Sequence, residues 1–383
     1  MNLFTRKSHH FLFVQLSTLL IISGTTIAQE QVKSLLLNKA IEAAQSSNLQ
    51  VALTQTEQRI SDARYRETDA IYLPQVNLSY GGMVTNNPLN AFGFKLQQKS
   101  ITQNDFNPAL LNDPDGTTDF MTKLTVQQPI YNADMLYMRK AAAVQVEAAA
   151  LKVSRTKEAV ALMTEQAYLG LQMAYAGKAV VEESLNGFKQ LLKFTQDRYD
   201  AGLLQKSDVL QVSVQVKAME TRLAEANTAI QNASDQLSTL MNVPGGIIYQ
   251  VPALVAMEGA VTAIDSVPAD RSDLLAMQKG MEAYDFMIQS TRKSRLPKVN
   301  GFASYQLNDK DPWGFGAGAY LAGVQVSWDI FRGNQDKRKI ATQKLEKQQL
   351  EQQLQQQVQQ SNVEVRKTYR QISDIGYKIN QGK

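Results

Sequence analysis

Two short stretches, Leu73-Pro74-Gln75-Val76-Asn77 and Leu296-Pro297-Lys298-Val299-Asn300, decide how this 383-residue chain is read. They lie 223 residues apart, and the same spacing lays Asn48-Leu49-Gln50-Val51 over Arg271-Ser272-Asp273-Leu274. Further on, Val126-Gln127-Gln128-Pro129-Ile130-Tyr131 lies over Val326-Ser327-Trp328-Asp329-Ile330-Phe331 at a spacing of 200. A duplicated unit explains all three matches, the first copy holding 23 extra residues within Asn86 to Asp119. Such internal repetition governs the reading of every local motif.

Each unit reads as helix, strand, loop, strand, helix. Residues 31–72 and 271–295 are polar with recurring Ala, Leu and Ile and no internal Pro, which predicts helices. Leu73 and Leu296 precede prolines, which push them out of the α region and end each helix. The period then switches to two. Val76, Leu78 and Tyr80 alternate with Asn77, Ser79 and Gly81, and Leu124 and Val126 alternate with Thr125 and Gln127. Tyr320, Ala322, Val324, Val326, Trp328 and Ile330 alternate with Leu321, Gly323, Gln325, Ser327 and Asp329, whereas in the strand from Val299 to Leu307 Phe302 breaks the pattern. Turn-rich segments (Asn86-Asn87-Pro88, Asn112 to Gly116, Asn308 to Gly318) make these hairpins with exposed loops, about 74–131 and 297–331.

A long helix follows each hairpin. No Pro occurs from Ala133 to Tyr199, and ~66 residues of helix span ~100 Å. In the next helix Val209, Val212, Val216, Met219, Leu223, Ala226, Ile230, Ala233, Leu237 and Leu240 step by three and four, the narrow stripe of a coiled-coil seam. The second long helix opens near Asn334 and keeps Leu350, Leu354, Val358, Val365, Tyr369, Ile372 and Ile379 near heptad spacing. The expected organisation is a first repeat over 29–243 with a helical hairpin at 133–243, a connector over 244–270, and a second repeat over 271–383.

Composition narrows the chemistry. There is no Cys, and the two His, His9 and His10, lie in an N-terminal segment that reads as a secretory signal over 1–28. It has a basic start (Arg6, Lys7), an apolar run from Phe11 to Ile22, and small residues at Thr26 and Ala28. A mature chain from Gln29 lacks both His and Cys, so disulfides, thiolate metal sites and most acid–base or nucleophilic chemistry lose their usual groups. Neither catalytic residues, cofactor nor metal is expected. The net charge of +4 falls to +2 once Arg6 and Lys7 leave, too weak for a counterion-release argument toward nucleic acid. Beyond the N-terminus no apolar run approaches the ~18 residues of a membrane helix.

The strands are another matter. Four amphipathic strands of ~8–11 residues match the length that crosses a bilayer when tilted. One face is apolar with aromatics near its ends, and the other carries Asn, Ser, Gln, Thr and Gly. The expected lipid-facing residues are Val76, Leu78, Tyr80, Leu124, Val126, Val324, Val326, Trp328 and Ile330. Four strands cannot close a barrel, since the smallest membrane barrels have about eight, and an open edge in lipid leaves backbone groups unpaired. Strands in a membrane therefore demand an oligomer, a dimer for 8 strands or a trimer for 12. The residues leave one other reading open, a periplasmic coiled-coil scaffold or adhesion protein whose strands pair outside lipid.

The turn between the two long helices runs Arg198-Tyr199-Asp200-Ala201-Gly202-Leu203-Leu204-Gln205-Lys206-Ser207-Asp208-Val209-Leu210-Gln211. Gly202 suits the left-handed position that ends a helix. Ser207 or Asp208 is expected to cap the next one, with Asp208 and Gln211 as a partial capping box. This turn, the duplicated helix-Leu-Pro-strand junction and the hairpin-to-long-helix order together resemble the TolC family of outer membrane efflux proteins, over about residues 31–383. The resemblance implies an α+β membrane protein of duplicated helix-strand-strand-helix units. Four transmembrane strands per chain would complete a 12-stranded barrel as a homotrimer, and the coiled-coil helices would form a periplasmic α-barrel. It implies an exit duct of a tripartite efflux pump or type I secretion system in the outer membrane of a Gram-negative bacterium. The partners implied are a periplasmic adaptor (a membrane fusion protein), an inner-membrane transporter and outer-membrane lipid. The adaptor would dock on the hairpin tip at Gly202, Leu203, Ser207 and Asp208. Carrying the 72-residue spacing from Ile130 to Gly202 over to Ile330 puts a second tip near 402, past Lys383. The second repeat is therefore expected to be cut short within its long helix, no gate residue is carried over, and a non-functional remnant of a duct is the alternative.

Overall fold

The computed structural model of the chain describes residues 31–254 and 266–381. The signal segment at 1–28 and part of the 244–270 connector lie outside the described residues. The elements run β1 (Gln31–Ser34), α1 (Leu37–Ser47), α2 (Leu49–Glu67), a 3-10 turn Thr68–Ile71, β2 (Gln75–Thr85), α3 (Pro88–Gln97), a 3-10 turn Gln103–Phe106, α4 (Pro108–Asn112) and β3 (Thr117–Tyr131). Then follow α5 (Ala133–Asp200), α6 (Lys206–Leu240), β4 (Ile247–Gln250), α7 (Ser272–Lys293), β5 (Lys298–Asp309), β6 (Ala317–Ser327) and α8 (Gln335–Gln381).

The duplication shows in the element boundaries. β2 opens at Gln75 and β5 at Lys298; β3 opens at Thr117 and β6 at Ala317; α2 and α7 follow N-caps at Asn48 and Arg271. These starts reproduce the spacings of 223 and 200 found in the sequence. Between β2 and β3 the extra residues of the first copy fold into α3 and α4, where the sequence alone suggested an exposed loop. The signal was present: Asn87 caps α3 by accepting from the Asn90 N–H, and Pro88 occupies the first turn, where its missing N–H costs nothing.

The 68 residues of α5 reach ~100 Å at 1.5 Å per residue and form the spine of the first repeat. α2 packs on its sheet-side half and α6 on the rest. All ten seam positions of α6 are buried or half-buried, as the three-four stepping predicts. Partway along α5, α6 ends where α2 begins, and Asn48 stitches them: its carboxamide donates to the Leu240 carbonyl at 2.8 Å and accepts from the Gln50 N–H at 2.8 Å. The two helices thus behave as one broken rod along α5. Around this joint lies the main apolar core, with Ala40, Ala44, Val51, Val160, Ala167, Leu171, Ile230 and Leu237.

The first stretch read as helix, 31–72, is therefore a strand, two helices and a closing 3-10 turn. β1 pairs in parallel with β4 (Gln31 with Ile247 through Ser34 with Gln250), and Asn48, with extended ψ of 134°, breaks the helix into α1 and α2. β1 exists because the connector offers a partner strand, a long-range fact invisible to local periodicity. Tyrosines from α5 lock it: the Tyr168 hydroxyl donates to the Leu35 carbonyl and that of Tyr175 to the Tyr249 carbonyl, both at 2.9 Å. No helix among the described residues is long and apolar enough to cross a membrane.

Candidate functional site

Two regions carry the predicted functional residues, a four-stranded sheet at one end of α5 and the helical turn at the other. The sheet is antiparallel in the order β2-β3-β5-β6, so the two hairpins join through β3 and β5, leaving β2 and β6 as edges. Its register sorts every side chain to one of two faces. Val76 faces Val126, Leu78 faces Leu124 and Tyr80 faces Thr122; across the sheet Leu124 meets Tyr305, Tyr305 meets Tyr320, Gly301 meets Val324 and Val299 meets Val326. One face is therefore apolar, and the expected lipid-facing residues from Val76 to Val326 all lie on it. The opposite face holds Asn77, Ser79, Lys123, Thr125, Gln127, Asn300, Ser304, Gln306 and Gln325.

Trp328 and Ile330 need correcting. They were expected to continue β6, but the strand ends at Ser327, whose partner Lys298 is the first residue of β5. Pro297 comes next on that side and has no N–H to extend the ladder. Trp328 instead donates its indole N–H to the Arg295 carbonyl at 2.8 Å, at the rim nearest the helices. The irregular Phe302 has an explanation too. Its ring lies over Gly323, where an added Cβ would come within 3.1 Å, and Phe120 covers Gly82 in the same way. At the loop end of the apolar face the Trp313 ring stacks flat on Tyr80, centroids 4.5 Å apart. From Tyr320 to its end at Ser327 the strand runs roughly 23 Å at ~3.3 Å per residue, close to the apolar band of ~25 Å that membrane barrels show.

A collar joins the sheet to the helices. Lys298 pairs with Asp134 at 2.6 Å, and Arg139 bonds Asp69, the Thr68 hydroxyl (2.9 Å) and the Tyr65 hydroxyl (3.0 Å) while lying over the Tyr65 ring. Beyond the other end of the sheet, α3 is braced by an edge-on contact of Phe92 with Phe106 and by Lys95 bonded to Asp105 at 2.7 Å. Hydrogen bonds from Lys95 and Thr102 hold the Asp105 carboxyl down at about 2, below the usual carboxylate range.

At the far turn, Gly202 has φ +75, its N–H donates to the Tyr199 carbonyl, and the Leu203 N–H donates to the Arg198 carbonyl, both at 2.9 Å. Those two bonds are the Schellman ending that a left-handed glycine permits. The next helix is capped earlier than expected, at Gln205 rather than at Ser207 or Asp208. Gln205, extended at ψ 155°, is the N-cap, and Asp208 sits three residues later, accepting from the Gln205 N–H at 3.0 Å to close a capping box. Neither Ser207 nor Asp208 is the cap, and Gln211 takes no part; the Ser207 hydroxyl donates to the Gln205 side chain at 3.4 Å. Capping alone therefore leaves Leu203 (exposed), Leu204 and Leu210 without a structural task at the tip. The turn brings Gly202, Leu203, Ser207 and Asp208 together at one end of the hairpin.

The comparisons with known proteins agree with this geometry. The family model of the outer membrane efflux proteins matches residues 40–243 and 263–375. The chain belongs to the outer membrane efflux protein family. Solved structures share its fold at low identity. CusC superposes with a TM-score of 0.71 at 17% identity, covering 90% of this chain and 77% of its own. The outer membrane protein VceC of Vibrio cholerae gives 0.68 at 17%, covering 90% and 80%, and the CmeC outer membrane channel of Campylobacter jejuni 0.68 at 16%, covering 100% and 82%. Among curated proteins none matches the sequence significantly. Membership makes this chain an outer-membrane efflux duct with a periplasmic extension, in a family of channels rather than of enzymes. The scaffold or adhesion reading falls.

Proposed function

We propose that three copies of this chain close a 12-stranded barrel in the outer membrane and continue it as a tube of helices across the periplasm. The duct is a passive exit for a tripartite efflux pump or type I secretion system. The observation that carries this reading is the pair of unpaired edges: β2 and β6, eleven residues each, border a sheet with one apolar face. In lipid each unpaired backbone group costs several kcal/mol, and pairing β2 of one copy with β6 of the next removes every open edge. Val76, Leu78, Tyr80, Leu124, Val126, Val324 and Val326 then meet lipid, while Trp328 and Ile330 sit at the periplasmic rim. The polar face lines water. A wet tube discriminates by width and charge, so work must come from an inner-membrane transporter. A periplasmic adaptor docks at the tip through Gly202, Leu203, Ser207 and Asp208.

Disulfide scanning tests the closure, helped by a chain without native Cys. Ser79→Cys combined with single cysteines along β6 (Ala319, Leu321, Gly323, Gln325) lies within disulfide reach at one register, since paired strands stand ~4.8 Å apart. The expected product is a ladder that stops at three chains. A ladder running beyond three, or no cross-link at any register, contradicts it. For the tip, Gly202→Pro or Asp208→Arg is expected to abolish export with membrane insertion intact, because the barrel lies ~100 Å away; export surviving both would remove the docking assignment.

A further inference from the structure

The duct reading leaves α3 without a task. The loop between β2 and β3 forms a capped helix that folds back onto the sheet. Gln98, at the end of α3, donates its amide to the Thr118 carbonyl at 2.7 Å and to the Asp119 carboxylate at 2.9 Å. Asn308 of β5 donates to the other oxygen of Asp119 at 2.8 Å. Asp119 is 0% exposed and Asn308 1%, within a sheet whose outer strands are otherwise open. A buried carboxylate demands such donors, because leaving it unpaired in low dielectric is costly.

The decisive point is which face this network occupies. Asp119 lies opposite Met83, and Asn308 opposite Met121 and Ala317. Both stand on the same face as Ser79, Lys123 and Gln306, the polar face, and not on the face of Val76 and Leu124. α3 is thus pinned to the side of the sheet that the trimeric duct turns inward, at the loop end away from the helices. We infer that α3 of the first repeat is an inward-folded constriction at the outer mouth, three copies converging on the barrel axis. A helix with its side chains is ~10 Å across, so three of them reduce the exit to the gaps between them. This sets an upper size on what leaves, at a point far from the periplasmic tip. The second repeat has no counterpart, since its loop from Lys310 to Gly316 is too short for one.

The inference rests on the trimeric reading, and one experiment separates the two. In the otherwise Cys-free protein, Lys123→Cys places a thiol on the polar face, roughly 13 Å below Asp119 along β3. Intact cells are treated from outside with a small charged thiol reagent and with a bulky polyethylene-glycol maleimide. The expected result is that the small reagent labels the thiol and the bulky one labels it roughly tenfold or more slowly. Replacing residues 88–113 by a short Gly-Ser turn should then admit the bulky reagent. Gln98→Ala, which removes the pin and leaves the chain length unchanged, should admit it partly and serves if the deletion fails to assemble. Equal bulky labelling with and without the insertion overturns the constriction, as does exclusion that persists in both variants. If the small reagent never reaches the thiol in any variant, the polar face is not a lumen and the duct reading falls with it.

Discussion

The two long helices, α5 and α8, come from the same position in the duplicated unit and end in different surroundings. α5 has a partner along its whole length, α2 on the sheet side and α6 on the tip side, held end to end by Asn48. α8 packs on α7 through Gln343, buried against Thr291, and as far as Ser361, which receives a hydrogen bond from Arg271 at 2.9 Å. Past that point its heptad stripe continues with Val365 and Tyr369 half-buried, but Ile372 and Ile379 are exposed. A heptad stripe is a demand for a partner helix; among the described residues that demand is met along the whole of α6 in one repeat and left open at Ile372 and Ile379 in the other.

The largest expected difference lies in the stripes themselves. Leu237 is 0% exposed between α6 and α5, so Leu237→Ala should cost about 2–5 kcal/mol in denaturant unfolding. Ile379, 55% exposed on α8, should cost under about 0.5 kcal/mol when cut to Ala. A cost for Ile379→Ala as large as that for Leu237→Ala would show another helix covering α8 in the assembled protein, and the contrast would break. A smaller difference is expected at the two equivalent caps. Asn48→Ala removes both an N-cap and the stitch to α6 and should cost about 1–2 kcal/mol. Arg271 makes no side-chain cap bond to its own helix, only pairs with Asp273 and Ser361, so Arg271→Ala should cost less than Asn48→Ala in the same assay. Equal costs would mean that the stitch to Leu240 contributes nothing.

Much of this architecture was legible because the repeat fixed it twice. The Leu-Pro junctions, the helix over 133–200 and the α6 seam all follow from local rules: proline exclusion, 3.6 periodicity and narrow stripe width. Gly202 was legible for the same reason, since only its left-handed φ closes that turn. What escaped depends on distant partners. β1 needs β4, more than 200 residues away; β6 stops at Ser327 because of Pro297 on its neighbour; Gln205 displaces Ser207 as cap because the turn leaves it extended. Asp119 was invisible as a buried group, because nothing local distinguishes it from a loop aspartate until Gln98 and Asn308 arrive from two other elements. The tip residues were named by resemblance, and the geometry adds that Asp208 already serves its own helix.

The central claim is that this sheet is one third of a closed barrel. The most direct test is the mass of the native complex extracted from outer membranes in mild detergent. Three chains per particle, falling to one only after boiling in detergent, is the predicted result. A stable single chain retaining its strands, or a particle of two chains, would contradict the account.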